Sequence, residues 1–128
     1  MKALFTNYEN GSFKSPYSEK FFSELKWNAH PNFEGVELKH LLTSADTDGQ
    51  FSYHLVRIAP GKSIGEHIHS EQLETHEVIA GRGECDNEGM KIPYRSGVVT
   101  ILKKGTPHSV TAGEEGLYLF AKFIPALC

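Results

Sequence analysis

The chain has 128 residues and a formal net charge of −3 with histidines counted as neutral, which predicts one domain able to bury a hydrophobic core without disulfides. Lysines and arginines do not gather in one stretch, which argues against a nucleic-acid partner. No run approaches the roughly 20 apolar residues that span a bilayer, so no membrane partner is expected.

The cysteines and the N-terminal composition bear on the cellular compartment. Cys85 and Cys128 do not have the spacing of a zinc site or of a disulfide framework. Residues 1–10 have no long apolar run, which argues against a signal peptide. Reduced thiols in a cytoplasmic protein are therefore expected.

Residues 1–34 are the least regular part of the sequence and are interpreted as an N-terminal arm. Ser15 and Pro16 are typical of a helix start, and the aromatic residues that follow would lie on that short helix. Extended structure fits this segment nearly as well. The remaining residues, 35–128, are predicted to form the main domain.

From Gly35 onward the pattern is that of a β protein. Short apolar or alternating runs are separated by turn residues about every 8–12 positions, which favours an all-β sandwich or barrel. The 43–49 segment reads as a turn, and Asn87-Glu88-Gly89 reads as a hairpin loop. After an alternating run at Val36, Leu38 and Leu42, the predicted strands are 51–59, 64–69, 74–80, 84–86, 90–94, 98–102, 108–112 and 117–124.

Four residues can converge on one metal ion. His67 and His69 are two positions apart, so on an extended strand both rings leave from the same face. Glu74 follows after enough chain for a turn, and His108 lies beyond a Gly-Thr-Pro turn. Imidazole nitrogens and carboxylate oxygens are ligands that borderline first-row metals accept. His30 and His40 lie outside this pattern and are interpreted as structural or exposed.

The spacing around these residues resembles the two sequence motifs of the cupin superfamily, and in particular of its small single-domain members. The first motif is matched at every position, by Gly61, His67, His69, Glu74 and Gly81. The second motif is matched at its two glycines and its histidine, which are Gly97, Gly105 and His108. Lys103 replaces a proline of the second motif and Ala112 replaces an asparagine, and neither position is a metal ligand in the family.

This resemblance implies a single-domain jelly-roll barrel, or double-stranded β-helix, with a metal inside. The ligands would be His67, His69, Glu74 and His108, and the ion a divalent transition metal such as Fe, Mn, Ni, Co, Cu or Zn. An octahedral ion would keep two positions open for water or substrate. A barrel that retains these residues but holds no ion is the alternative. The resemblance also implies a homodimer in which the N-terminal arm of residues 1–34 is exchanged.

His76 is a candidate catalytic residue that the motif does not explain. It lies two positions after Glu74, so strand alternation predicts that both side chains point into the barrel. It could be a fifth ligand, a base beside the metal or a contact for the substrate. A hydrogen-bonded interior histidine without a chemical role is the alternative.

Three further residues are candidate substrate contacts. Arg57 and Tyr53 share one face of the 51–59 strand, and Phe120 lies in the last strand. Either face of the 51–59 strand could meet the barrel interior. An inward Arg57 could bind a carboxylate or phosphate, whereas an outward one would be paired or solvated.

The sequence leaves three functions open. The first is a metal-dependent enzyme, of the oxygenase, lyase or isomerase type, that acts on a small polar molecule. The second is a module that binds or senses a sugar or an organic acid without converting it. The third is an assembly role for a barrel whose site is vestigial. The intact ligand set and the inward His76 favour the first.

Overall fold

The computed structural model describes residues 2–128, and antiparallel β-strands make up most of it. The predicted all-β barrel is confirmed. None of the described helices is long and apolar enough to cross a membrane. The elements in chain order are α1 (Ala3–Glu9), β1 (Ser12–Lys14), β2 (Glu19–Phe21), a 3-10 turn (Phe22–Glu24), β3 (Asn28–Ala29), β4 (Val36–Leu42), α2 (Ser44–Thr47), β5 (Ser52–Ile58), β6 (Ser63–His67), β7 (Leu73–Asn87), β8 (Met90–Arg95), β9 (Val99–Leu102) and β10 (His108–Ile124).

Two long strands connect the parts of the barrel. β10 pairs with β5, β6 and β7, and β7 also pairs with β8 and β9. The β7–β10 register shifts between Ala112 and Leu117, so the two strands bend together at this point. One half of β10 lies beside β6 and the other half beside β5, which wraps the sheet around a common interior.

The glycine-rich segments at 81–83 and 113–116 are bends within strands, whereas the sequence predicted that strands end there. The predicted strands 74–80 and 84–86 are both parts of β7, and 108–112 and 117–124 are both parts of β10. Gly81 and Gly116 have positive φ angles, which glycine adopts without steric cost. A strand can therefore change direction at these residues and keep its pairing.

Residues 2–34 pack against their own barrel. Phe5 of α1 and Phe22 are 1% and 6% exposed, and β3 pairs with β4. The helix lies at Ala3–Glu9 and does not follow Ser15, because the Ser15 hydroxyl accepts the N–H groups of Tyr17 and Ser18 and turns the chain into a hairpin. Exchange of this segment between two copies, and the homodimer itself, stay predictions that light scattering can test.

The barrel carries apolar residues on both faces of β5. The interior core includes Val56 and Ile58, and a second core lies between the outside of the barrel and the N-terminal segment. The second core is formed by Phe5, Phe22, Leu41, Leu55 and Phe120, with Trp27 and Tyr53 packed against it.

The predicted substrate contacts Arg57, Tyr53 and Phe120 lie on this outer side, and their role in substrate binding stays a prediction. The Arg57 guanidinium lies 3.9 Å from the centre of the Trp27 ring, and its Nε donates to Glu37 at 2.8 Å. Tyr53 and Phe120 contact each other with ring centres 5.3 Å apart. Val56 and Ile58 occupy the inward face of β5, so alternation turns Arg57 outward.

The position of Arg57 predicts a structural effect for its replacement. Arg57→Leu should lower the free energy of unfolding by about 1 kcal/mol, because a partly exposed ion pair and a cation–π contact are lost. Metal content should not change. Chemical denaturation and elemental analysis would measure both, with Lys91→Leu, which removes exposed ion pairs with Asp86 and Glu84, as control. Unchanged stability combined with lost ligand binding would instead support Arg57 as a substrate contact.

Candidate metal centre

The four predicted ligands come from the end of β6, the loop that follows it, the start of β7 and the start of β10. His67 is the last residue of β6, and His108, the first residue of β10, is its direct partner in the sheet. Glu74 lies near the start of β7, opposite Phe123 of β10. His69 follows β6 in the loop that leads to β7. Antiparallel pairing therefore places residues about forty positions apart on one wall of the barrel.

The side chains form a compact donor cluster. One donor atom from each of His67, His69, Glu74 and His108 lies within 4.8 Å of every other. Glu74 Oε1 is 3.4 Å from His108 Nε2 and 3.5 Å from His69 Nε2. Glu74 and His108 are 6% and 2% exposed, whereas His67 and His69 are partly open to solvent. The cluster thus has a buried side and an accessible side.

Two atoms of the cluster lack the partners that burial normally requires. In the described part of the chain, three buried side-chain nitrogen or oxygen atoms have no hydrogen bond, and two of them are Glu74 Oε1 and His108 Nε2. An unpaired buried polar atom costs about 1–3 kcal/mol. A cation between these two atoms would satisfy both, so the donor set fits a divalent transition metal.

Backbone contacts set the tautomers of two histidines. His67 Nδ1 lies 2.7 Å from the carbonyl oxygen of Gly65, and His108 Nδ1 lies 3.3 Å from that of Thr106. A carbonyl accepts only, so each Nδ1 carries the proton and each Nε2 keeps its lone pair for a metal. Burial lowers the pKa of His67 and of His69, which favours the neutral form that a metal needs.

His76 holds the carboxylate of Glu74 in place. His76 Nε2 lies 2.8 Å from Glu74 Oε2, and His76 Nδ1 lies 2.9 Å from the Tyr94 hydroxyl. The carboxylate therefore accepts the Nε2 proton, and Tyr94 donates to Nδ1. Oε2 is fixed in this way and Oε1 is left facing the other ligands. Burial by itself would raise the pKa of Glu74, but the neighbouring imidazoles, His76 foremost, hold that pKa well below its usual range.

The interior position of His76 agrees with the alternation of β7, and its catalytic role stays a prediction. Both ring nitrogens are already engaged by protein atoms, and His76 does not belong to the four-residue donor cluster. Its contacts make it a positioning residue for Glu74.

Replacing His76 should weaken metal binding. His76→Leu frees Glu74 Oε2 and should lower metal affinity about 10–100-fold, the effect typical of losing a hydrogen bond to a ligand. Competition with a chromogenic chelator measures this affinity. Tyr94→Phe keeps the His76–Glu74 contact and should have a smaller effect. Wild-type affinity in His76→Leu would contradict the positioning role.

A cavity of about 280 Å³ opens beside the cluster. His67, His69, Glu74 and His76 form part of its wall, and among residues 2–128 neither lysine nor arginine lines it. Among its remaining lining residues, Asn28, His30 and His40 are polar, and Leu38, Val56, Ile64, Ala121, Phe123 and Leu127 are apolar. The site is thus a small apolar chamber with its polar groups concentrated around one cluster.

Comparison with known proteins assigns the family. The sequence profile of the cupin domain (Cupin_2) matches residues 54–121, which is more than half of the chain. The chain belongs to the cupin family. The matched region contains His67, His69, Glu74 and His108, so the resemblance in the two motifs is confirmed at the level of the domain.

Relatives of this cupin differ in their described roles. An oxalate-binding protein of Thermotoga maritima is 28% identical over 91 residues, which cover 70% of this chain and 75% of that protein. An L-ectoine synthase of a Marinomonas species is 34% identical over 93 residues, which cover 71% of this chain and 70% of that protein. A crystal structure of a predicted oxalate decarboxylase from Thermotoga maritima has a TM-score of 0.73 at 27% identity and covers 80% of this chain and 95% of that one.

The departures from the second cupin motif do not disturb the ligands. The turn that carries Lys103 in place of proline is closed by the Thr106 hydroxyl, which donates to the Lys103 carbonyl at 2.7 Å. Gly105 N–H donates to the carbonyl of His69 at 2.9 Å, which ties this turn to the ligand loop. Hydrogen bonds thus supply the rigidity that the proline would give.

Sequence reasoning missed two residues of the cavity in this cupin. His30 and His40 were interpreted as structural or exposed, yet both line the chamber. His40 lies two positions after Leu38 on β4, so alternation could have placed both on the inward face. His30 follows the short strand β3 and has no periodic signal, and it is positioned by its N–H bond to the Val36 carbonyl at 2.8 Å.

Proposed function

We propose that this cupin is a metal-dependent enzyme that acts on a small carboxylate-bearing molecule inside its barrel. The observation that carries the proposal is the pair of buried, unpartnered atoms Glu74 Oε1 and His108 Nε2, in a cluster whose other members, with Glu74, line a small cavity. His67, His69, Glu74 and His108 would hold the metal. When bound, the ion supplies Lewis-acid polarisation of a carboxylate or carbonyl oxygen.

Charge supports an anionic ligand of limited size. Three neutral imidazoles and one carboxylate leave a net charge of +1 around a divalent ion. The lining residues add no lysine or arginine, so the metal site is the positive end of the chamber. A small acid can place its carboxylate there and its apolar part against Val56 and Phe123. The oxalate-binding protein and the predicted oxalate decarboxylase among the relatives fit this ligand class.

The chain's own residues would bind and orient the substrate. Leu38, Val56 and Phe123 exclude water from the chamber, and His40 and Asn28 place polar groups along its wall. Burial lowers the pKa of His40, so its imidazole is neutral at physiological pH and can accept a proton. The type of reaction, whether oxygenase, lyase or isomerase, stays open.

A binding or sensing protein is the second candidate, and the contacts of His76 favour it. Both His76 nitrogens are occupied, and Glu74, the one carboxylate among the described residues that line the chamber, is in the ligand cluster. Neither of these two groups is therefore free for acid–base chemistry. A protein that captures an organic acid without converting it needs no such group.

Ligand binding should require the metal. Oxalate and related small acids should bind the metal-loaded protein and should not bind protein stripped by a chelator, whereas their methyl esters should bind neither. Isothermal titration measures binding, and mass spectrometry with oxygen-uptake measurements detects conversion. Binding with conversion supports the enzyme, and binding without conversion supports the second candidate. Equal binding to stripped and loaded protein would contradict both.

A further inference from the structure

A second cluster of metal-type donors lies apart from the four-residue site. His40, His54 and Cys128 each place one donor atom within 4.8 Å of the others. None of the three belongs to the first cluster. The Phe123 ring stands between the two groups, with its centre 5.5 Å from that of His54 and 5.0 Å from that of His69.

The sheet builds the histidine pair. His40 and His54 are direct partners in the β4–β5 ladder, and their Nδ1 atoms are 2.8 Å apart. His54 is fully buried, and its Nε2 lies 2.8 Å from the Ser52 hydroxyl. With Nε2–H donating to Ser52, the lone pair of His54 Nδ1 faces His40. A proton bridges the two Nδ1 atoms when no ion is present, and a metal ion can take its place.

Hydrogen bonds hold the cysteine beside this pair. The Cys128 carbonyl accepts the N–H of Ser44 at 2.6 Å, and Leu127 N–H donates to the Ser52 hydroxyl at 2.8 Å. Ala126 N–H donates to the Gly49 carbonyl at 3.1 Å. The Ser52 hydroxyl thus contacts both His54 and the backbone that carries Cys128. Hydrogen bonds to Ser44, Gly49 and Ser52 therefore hold the segment 126–128 against the barrel.

The protonation states suit a metal ligand set. Burial, reinforced by His40, lowers the pKa of His54 to about 4, and burial also lowers the pKa of His40. Both imidazoles are then neutral at physiological pH, as metal ligands must be. Burial raises the pKa of the Cys128 thiol, so a metal would bind with release of the thiol proton.

We propose that His40, His54 and Cys128 form a second metal site, which takes a borderline, thiolate-accepting ion such as Zn²⁺. Two imidazoles and one thiolate supply three of the four ligands of a tetrahedral ion. Cys128 is exposed, so the fourth position faces solvent. Since Leu127 lines the chamber of the first site, an ion bound at Cys128 also fixes one wall of that chamber.

Cobalt distinguishes this site from the first one. Co²⁺ bound by a thiolate gives a sulfur-to-metal charge-transfer band in the near ultraviolet, and the first cluster contains no sulfur. Titrating the metal-free protein with Co²⁺ should produce this band and a total of about two bound ions per chain, one for each cluster. Cys128→Ser should abolish the band and remove one ion.

Matched variants make the result specific. Cys85→Ser changes the other thiol, which is fully buried, and should keep the band. His67→Ala should keep the band while the first site is impaired, so the two sites fail independently. His40→Ala and His54→Gln should each lower the Co²⁺ affinity reported by the band at least about tenfold. Absence of the band at saturating Co²⁺, or a band of unchanged affinity in His40→Ala, would overturn the proposal.

Discussion

Replacing both His67 and His69 with alanine should remove the metal from the first site. The two remaining donors, Glu74 and His108, are largely buried and would hold the ion from one side only. Loss of two direct ligands should weaken binding by more than the roughly 10–100-fold that losing a supporting hydrogen bond costs. Elemental analysis of protein purified without added metal would show the loss as a fall in bound ions per chain.

The control is a histidine that lines the same chamber without joining the cluster. His30→Ala removes an imidazole from the cavity wall and should leave the metal content unchanged. All three proteins are best compared in a Cys128→Ser background, which removes the proposed second site. Wild-type metal content in the double variant would show that these residues do not hold the ion.

The ligand set could be predicted because its residues match the two cupin motifs. His67, His69 and Glu74 lie within eight consecutive residues of the first motif, and His108 lies in the second. The inward direction of His76 follows from strand alternation. The contacts of His76 could not be predicted in this way, because one of them is made by Tyr94, which reaches His76 from β8.

The face of β5 that lines the barrel could not be predicted from its composition. Polarity distinguishes the two faces of a strand only when one of them meets water. Here the N-terminal segment covers the outer face. Leu55 on the outer face and Val56 on the inner face are therefore both buried. The sequence therefore left open which face of the strand, the one with Tyr53 and Arg57 or the one with Val56 and Ile58, meets the interior.

The second donor cluster could not be predicted from sequence motifs, for a different reason. His40, His54 and Cys128 are brought together by the β4–β5 register and by the path of the last residues. Their separations along the chain match no zinc motif, which is why the cysteines were interpreted as simple thiols. Only the pairing of strands reveals the cluster.

Gly81→Ala should destabilise the fold more than any other change considered for the barrel. Gly81 has a φ of +81°, and a Cβ built on it would lie 2.1 Å from the carbonyl oxygen of Gly116. The positive φ costs an alanine about 1–2 kcal/mol. The clash with the backbone of β10 should raise the total loss in free energy of unfolding above about 4 kcal/mol. Urea denaturation followed by circular dichroism would measure this loss.

Gly105→Ala separates the backbone strain from the clash. Gly105 has a φ of +77°, but among the described residues nothing beyond its two chain neighbours lies within 4 Å of the Cβ it would gain. The free energy of unfolding of Gly105→Ala should therefore fall only by the backbone strain of about 1–2 kcal/mol. Equal losses in the two variants would mean that the β7 and β10 bends can separate without cost. A much larger loss for Gly81→Ala would explain why glycine ends the first cupin motif: Leu117 of β10 pairs directly with it, and only hydrogen fits between the two strands.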